Sequence, residues 1–276
     1  MRHFIEAISL FPWNLNRILF FIGLIFIFFE GSSIAEPQKK KDHQYGQDSD
    51  WSVRLGAIGM YKPEHEGSDD YEFQGFPMID ITWRDTIFLN PRKGLGAYLW
   101  NQDGVKLGVS IGYSFGRDED DSSDLDGLGD VDGGATANVL FEWNIEDISF
   151  DARYEQQFTG KDTGFQAHIG LGHAIRIGEN IMLKPSVQTT YASSDYMEEY
   201  FSISPSQSVR AGLVVHDADS GIKSVGIHLI SIYRLARHWG VQAMASYDRL
   251  LGDTTDSPVV KDENQYLLGV GLSYNF

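Results

Sequence analysis

The C-terminal stretch Tyr266-Leu267-Leu268-Gly269-Val270-Gly271-Leu272-Ser273-Tyr274-Asn275-Phe276 decides the fold. Tyr266, Leu268, Val270, Leu272, Tyr274 and Phe276 form one set, wholly apolar or aromatic. Leu267, Gly269, Gly271, Ser273 and Asn275 form the other, mostly small or polar. Strict alternation is the mark of a strand with two unlike faces. A strand of this kind that ends the polypeptide on Phe is how outer-membrane barrels commonly finish. In lipid, only a helix or a closed barrel satisfies every backbone N–H and C=O. The greasy face of this strand therefore meets either a core or a bilayer, and the rest of the chain has to say which.

The N-terminus reads as an export signal. Arg2, His3 and Arg17 precede the apolar run Ile18 to Phe29, and Ser33-Ile34-Ala35 supplies a small-x-small cleavage site. Residues 1–35 are therefore expected to be a cleaved signal peptide. The apolar run is shorter than the ~20 residues of a membrane-spanning helix. Glu36 to Asp50 follows as a polar tail containing Lys39, Lys40 and Lys41, with too little hydrophobicity to fold alone. The chain lacks cysteine, which excludes disulfides and a lipidated N-terminal Cys. Its net charge of −17 speaks against nucleic acid, whose binding rests on Lys and Arg at phosphates.

From Trp51 onward, period-two segments succeed one another: 51–61, 76–83, 86–90, 94–100, 105–115, 133–143, 148–159, 165–177, 181–191, 222–234, 239–250 and the last strand. The cleanest is Val105 to Phe115, with Val105, Leu107, Val109, Ile111, Tyr113 and Phe115 opposed by Lys106, Gly108, Ser110, Gly112 and Ser114. Segment 222–234 is apolar on both faces. Thr86 to Trp100 can also be read as one strand, and Ser208 to His216 as an additional one. The reading is an all-β, transmembrane, antiparallel up-and-down barrel of about 12 strands over residues 51–276, in the outer membrane of a Gram-negative bacterium.

Three features favour lipid over a core. Short connections (Arg84-Asp85, 101–104, 144–147, 178–180, 235–238) alternate with the others (62–72, 91–93, 116–132, 160–163, 192–221, 252–264), as periplasmic turns alternate with outside loops. Trp51, Trp83, Trp100, Trp143 and Trp239 all fall at the periplasmic ends, and Tyr61, Phe115, Phe158, Phe165, Tyr191 and Tyr266 at the opposite ends, as two aromatic girdles require. The clean apolar faces carry no charge, whereas Arg54, Asp80, Lys106, Glu142, Asp151, Arg153, Glu155, Arg176 and Lys184 fall on the inward face. A soluble barrel or sandwich is the alternative, and it needs neither an export signal nor girdles.

Signals for chemistry are sparse. Arg117 to Asp132 holds eight acids. Asp118, Asp120, Asp124, Asp126, Asp130 and Asp132 are weak candidates for a divalent cation near lipopolysaccharide. The EF-hand pattern fails, because position 1 is Ser122 or Leu128 and position 12 is Gly133 or Val139. A solvated acidic loop explains the run as well. His228 and Ser231 suggest a lipid hydrolase, but a spacing of three puts them on opposite faces of a strand, and Gly-x-Ser-x-Gly is absent. The inward glycines Gly108, Gly112, Gly170, Gly172, Gly269 and Gly271 fit a filled, narrow barrel. No catalytic residue, cofactor or firm metal site is expected.

Several segments resemble one family. Tyr61 to Tyr71 is similar to the Y-x-P-x-Y-x-G-S-x-x-Y segment of the MltA-interacting protein family (MipA/OmpV), with Gly67, Ser68 and Tyr71 in place and His65 at the usual aromatic. Arg117 with Leu125 to Asp130 resembles its third-loop pattern. Tyr233-Arg234-Leu235, Trp239, Asp256-Ser257-Pro258-Val259-Val260 and Gly271 to Phe276 are similar to its C-terminal half. Phe201-Ser202-Ile203 departs from the family's Phe-Gly-Val. The resemblance covers residues 51–276 and implies a non-enzymatic outer-membrane protein, a scaffold between a murein lytic transglycosylase and a penicillin-binding protein in peptidoglycan remodelling. Turns of two to four residues offer such partners little surface, so the tail, with Lys39 to Lys41, is the expected docking element. Tyr274 and Phe276 are the expected signal to the barrel-assembly machinery. A small-solute channel or a surface receptor is the competing reading.

Overall fold

The structure, a computed structural model, describes residues 50–160 and 164–276. The signal segment 1–35 and nearly all of the tail lie outside the described residues. Thirteen strands follow in chain order: β1 (Trp51–Pro63), β2 (Tyr71–Trp83), β3 (Ile87–Asn90), β4 (Gly94–Gln102), β5 (Val105–Arg117), β6 (Val131–Ile145), β7 (Ile148–Gln157), β8 (Phe165–His173), β9 (Ile175–Ile177), β10 (Ile181–Ala192), β11 (Gly221–Arg234), β12 (Trp239–Leu250) and β13 (Asn264–Asn275). All belong to one antiparallel sheet that closes on itself through β10–β11 and β13–β1. β8 and β9 both pair with β10, interrupted at Ala174, so they are one pass in two pieces and the barrel has twelve passes.

Closure is completed by the C-terminal strand. β13 lies against β1 from Arg54↔Asn275 to Tyr61↔Leu268. Arg54 Nε donates to Asn275 Oδ1 at 2.9 Å, and Phe276 N to Val53 O at 3.0 Å. The short turns have the backbone that tight hairpins need. Asp103 and Gly104 both take positive φ, 52° and 78°. A Cβ at Gly104 would stand 2.2 Å from the Asn144 carbonyl oxygen.

The alternate residues separate as the period-two reading demands. Leu268, Val270 and Leu272 of β13 are exposed, and Leu267, Gly269, Gly271 and Ser273 are buried. The tryptophans sit together at the turn end, with Trp51 and Trp83 rings 6.2 Å apart. At the other end Tyr61 stacks on Tyr71 at 5.2 Å and Phe165 on Tyr191 at 6.1 Å. Replacing outward Val270 by Arg is expected to cost ~2–4 kcal/mol at the bilayer midplane. Urea unfolding in vesicles measures this as a lowered midpoint with unchanged m.

The interior is filled, in two unlike sectors. Ile58, Met60, Phe76, Ile230, Met244 and Leu267 form an apolar cluster from β1, β2 and β11 to β13. It explains the doubly apolar β11: Ile230 and Ile232 serve the lumen, while Ile227 and Leu229 serve the bilayer. Gly269 makes room here, since a Cβ would stand 2.8 Å from Met244 Cγ. The facing sector is ionic. Lys93 pairs with Glu142, and Tyr98 Oη lies 2.9 Å from both Lys93 Nζ and Glu142 Oε1. Arg92 lies 3.6 Å from Asp151, and Arg153 lies 3.4 Å from Glu155.

Several boundaries differ from the sequence reading. β2 begins at Tyr71, because Tyr71↔Pro63 continues the ladder with β1 past Gly75 and Pro77. Segments 86–90 and 94–100 are two strands, as the periodicity expects and not the single one of the alternative, and β4 runs on to Gln102 past a bulge between Tyr98 and Trp100. Segment 208–216 is no strand: its first residues belong to a helix, Pro205–Ala211, and His216 makes one isolated bridge to Ile203. Arg176 keeps the inward register, opposite Met182, but sits at the rim, where it pairs with Asp147 of a turn and water screens both. The connection Pro91 to Lys93 does not reach the outer side but turns within the wall, with Arg92 and Lys93 buried.

Candidate functional site

The four long connections at the outer end fold into one cap. After β10, Ser193 caps α1 (Ser194–Phe201), its side chain accepting from Tyr196 N at 3.3 Å. Ser204 and Gln207 form a reciprocal capping box on α2 (Pro205–Ala211), which stops at Gly212 with φ 71°. A one-turn helix, α3 (Asp253–Asp256), lies in the last connection. These pieces share two small cores. Leu125, Leu128, Ile203 and Val259 form one; Ala192, Met197, Phe201 and Ala218 form the other. The first core joins three connections, whereas the second is built within the connection 192–221, so apolar burial both orders that segment and fastens its neighbours to it.

Residues singled out through the family resemblance meet in this cap. Gly67 N donates to Gln265 Oε1 at 3.2 Å, while Gly67 O accepts from Lys261 N at 2.7 Å. Its φ of +94° and the 2.7 Å from an imagined Cβ to Val260 Cγ2 leave no side chain room there. Ser68 is wholly buried and its Oγ accepts from Asp70 N. Tyr71 Oη accepts from Tyr266 N at 3.1 Å. Arg117 Nη1 donates to Tyr200 O at 2.9 Å, Ser257 Oγ donates to Phe201 O at 2.5 Å, and Pro258 O accepts from Lys261 Nζ at 3.1 Å. Leu125 is fully buried in the first core. These contacts tie all four connections to one another.

The sequence reading missed the ion pair that crosses the cap, Lys223 Nζ to Glu66 Oε2 at 2.8 Å, with the ammonium 4.8 Å from the Tyr196 ring centroid. A bulge in β11 opposite Thr190/Tyr191 turns Lys223 inward, and nothing in the alternation announces it. A cavity of about 390 Å³ opens between the loops, lined in part by Arg117, Leu128, Ile203, Gln207 and His216. Burial in the cap pushes the Tyr200 phenol up to about 12.

The acidic connection uses its carboxylates on its own backbone. Asp118 Oδ1 accepts from Asp120 N, Asp130 Oδ1 from Glu119 N, and Glu119 Oε2 from the N–H groups of Gly127 and Gly129. Asp124, Asp126 and Asp132 join no common centre with them. Among the described residues no group of three His, Cys, Asp or Glu side chains is placed to hold a metal. His228 Nε2 lies 2.9 Å from Asp248 Oδ1, and the ladder puts Ser231 on the opposite, lipid-facing side. Lys39, Lys40 and Lys41 lie outside the described residues. Tyr274 lies between Trp239 and Phe276, with ring centroids at 5.0 and 4.8 Å.

His65 is the titratable point of the cap. Burial, reinforced by the Arg117 charge, holds its imidazole below the ordinary 6.5, although a contact with the Glu66 carbonyl works the other way. Its Nε2 has no partner. The unfolded loop therefore takes up its proton before the folded one as pH falls. Cap stability from this group is complete above about 6.5 and drains away toward the lower folded value. Hydrogen exchange of residues 64–70, corrected for its intrinsic pH dependence, is expected to accelerate below that point. His65→Gln is expected to remove the acceleration.

Comparison with known proteins agrees with an outer-membrane location. A family model described as MltA-interacting protein MipA matches residues 55–276. Outer membrane protein Omp26La of Vibrio anguillarum is 25% identical over 249 residues, spanning 88% of this chain and 93% of its own. MltA-interacting protein of Escherichia coli is 24% identical over 225 residues, spanning 80% and 89%. The solved NanC porin superposes with a TM-score of 0.46 at 12% identity, covering 80% of this chain and 100% of its own. The chain is an outer-membrane β-barrel and belongs to the MltA-interacting protein MipA family.

Proposed function

We propose that the protein is a closed, non-enzymatic outer-membrane scaffold in peptidoglycan remodelling, bringing a murein lytic transglycosylase together with a penicillin-binding protein. The observation that carries this reading is the filled interior: an apolar sector, an ionic sector and a capped mouth leave a barrel that presents surface rather than a path. The name of its Escherichia coli relative points to the same kind of partner. Periplasmic turns such as Arg84-Asp85 are too small to dock an enzyme, which leaves the tail 36–50, with Lys39 to Lys41, as the docking element. Tyr274 and Phe276 would serve the barrel-assembly machinery during insertion.

Two measurements test the proposal. Pull-down from outer-membrane extract with the intact chain is expected to recover a lytic transglycosylase, and deletion of residues 36–49 is expected to weaken that recovery. Unchanged recovery discards the tail as the docking element. In planar bilayers the refolded barrel is expected to stay silent; steady conductance would replace the scaffold by a channel. The cavity in the cap favours a surface receptor as the second reading. That reading predicts a silent barrel without murein enzymes in the pull-down.

A further inference from the structure

The barrel wall is incomplete on one side. β3 has four residues, and a strand that crosses hydrocarbon needs about nine to eleven. The β2–β3 ladder ends at Ile81↔Leu89, and the β4–β5 ladder ends at Leu95↔Ile111. Beyond the hairpin tip both flanking strands run on. From Asp80 out to Tyr71, β2 pairs with β1 alone; from Gly112 to Ser114, β5 pairs with β6 alone. The result is a notch two strands wide, about 14 Å between the flanking axes at ordinary ladder spacing.

The floor of the notch is finished and its β2 side is not. Lys93 N donates to Asn90 Oδ1 at 2.8 Å, Lys93 O accepts from Ser110 Oγ, and Arg92 O accepts from Arg153 Nη1 at 2.8 Å. Along Tyr71 to Asp80, about every second residue aims its backbone groups away from β1. Pro77, which has no N–H to offer, is at home on such an edge. Gln74 Oε1, on the same strand, is enclosed without a hydrogen-bond partner. The β2 aromatics lean away from the opening, Tyr71 onto Tyr61 and Phe73 over Gly59. Behind it, Phe76 and Met78 belong to the apolar lumenal sector.

We propose that this notch is a lateral binding site for an acyl chain of outer-leaflet lipopolysaccharide. At this depth the opening faces hydrocarbon, because the hairpin below it is too short to cross. Apolar side chains flank it outside (Ile79, Leu89, Leu95 and Ile111 are exposed) and wait behind it inside. A plain hydrocarbon chain would leave the β2 edge unpaired, at several kcal/mol per backbone group in lipid. An acyl chain that carries amide and hydroxyl groups near its sugar, as in lipopolysaccharide, supplies both the apolar body and the hydrogen bonds.

The test places the photo-cross-linker p-benzoylphenylalanine at Met78 in the full-length protein, in its own outer membrane. Met78 faces inward, so a sealed wall would hide it from lipid. The expected result is a lipopolysaccharide adduct at position 78, none at inward-facing Ile230, and lipid adducts at outward-facing Leu268. No adduct at 78 while 268 reacts overturns the proposal. So does an adduct at 78 to phospholipid alone, or to a protein, the latter making the notch a strand-docking site. Position 74 gives the same readout if the Met78 variant loses its folded gel mobility.

Discussion

Glu142→Leu is expected to destabilise the barrel by about 3–5 kcal/mol, because it strands the buried ammonium of Lys93. The two side chains are more than nine-tenths buried and share Tyr98 between them. Removing both charges together, as Lys93→Met with Glu142→Leu, should restore most of the loss, since a buried pair and a well-packed apolar pair are similar in free energy. The hydroxyl of Tyr98 then loses its contacts with Lys93 and Glu142, at a cost of up to about 1–3 kcal/mol. Tyr98→Phe in the triple variant should remove it. Urea unfolding in vesicles across the three variants measures the coupling. Equal destabilisation by the single and the double variant would show that packing at Glu142, not charge, is what matters.

Leu125→Ala is expected to release the cap without unfolding the barrel. Leu125 is fully enclosed by Leu128, Ile203 and Val259, and truncating such a side chain costs about 2–5 kcal/mol. The cap is a local unit, so that loss falls on local opening rather than on the strands. Cleavage after Arg210, which is held to Gly127 O at 3.0 Å, proceeds from the open form. Its rate should rise roughly 30- to several-thousand-fold in trypsin-treated whole cells while the barrel keeps its folded gel mobility. A rate unchanged from the parent would mean that the connections are held by the barrel rim and not by each other.

The parts legible in the sequence are those that the solvent dictates. Lipid imposes period two on outward residues such as Val105 to Phe115, and the interfaces sort Trp51 and Trp239 from Tyr61 and Tyr191. Neither rule reaches inside. Lys93 read as a residue of an outside loop because its partner Glu142 lies 49 positions away, and only the brevity of β3 hinted that the turn stays within the wall. A single bulged residue, Leu99, was enough to blur Thr86 to Trp100. The cap residues Gly67, Arg117 and Ser257 were visible through family likeness, not through physics. What they do depends on contacts such as Ser257 to Phe201 that only the assembled connections create.

The seam between β13 and β1 has one more consequence. Phe276 N lies 3.0 Å from Val53 O, so the barrel's two ends are neighbours. In a ring whose ends touch, the place of the cut reflects the order of synthesis and not the architecture. A circular permutant that joins residue 276 to residue 51 by a short linker and opens at the Arg84-Asp85 turn keeps every ladder intact. It gives up the aromatic end of β13, the tail that precedes residue 51, and the contacts of Arg84 with Asp50. Comparing its insertion with that of the parent separates what the architecture needs from what the cell's insertion apparatus reads.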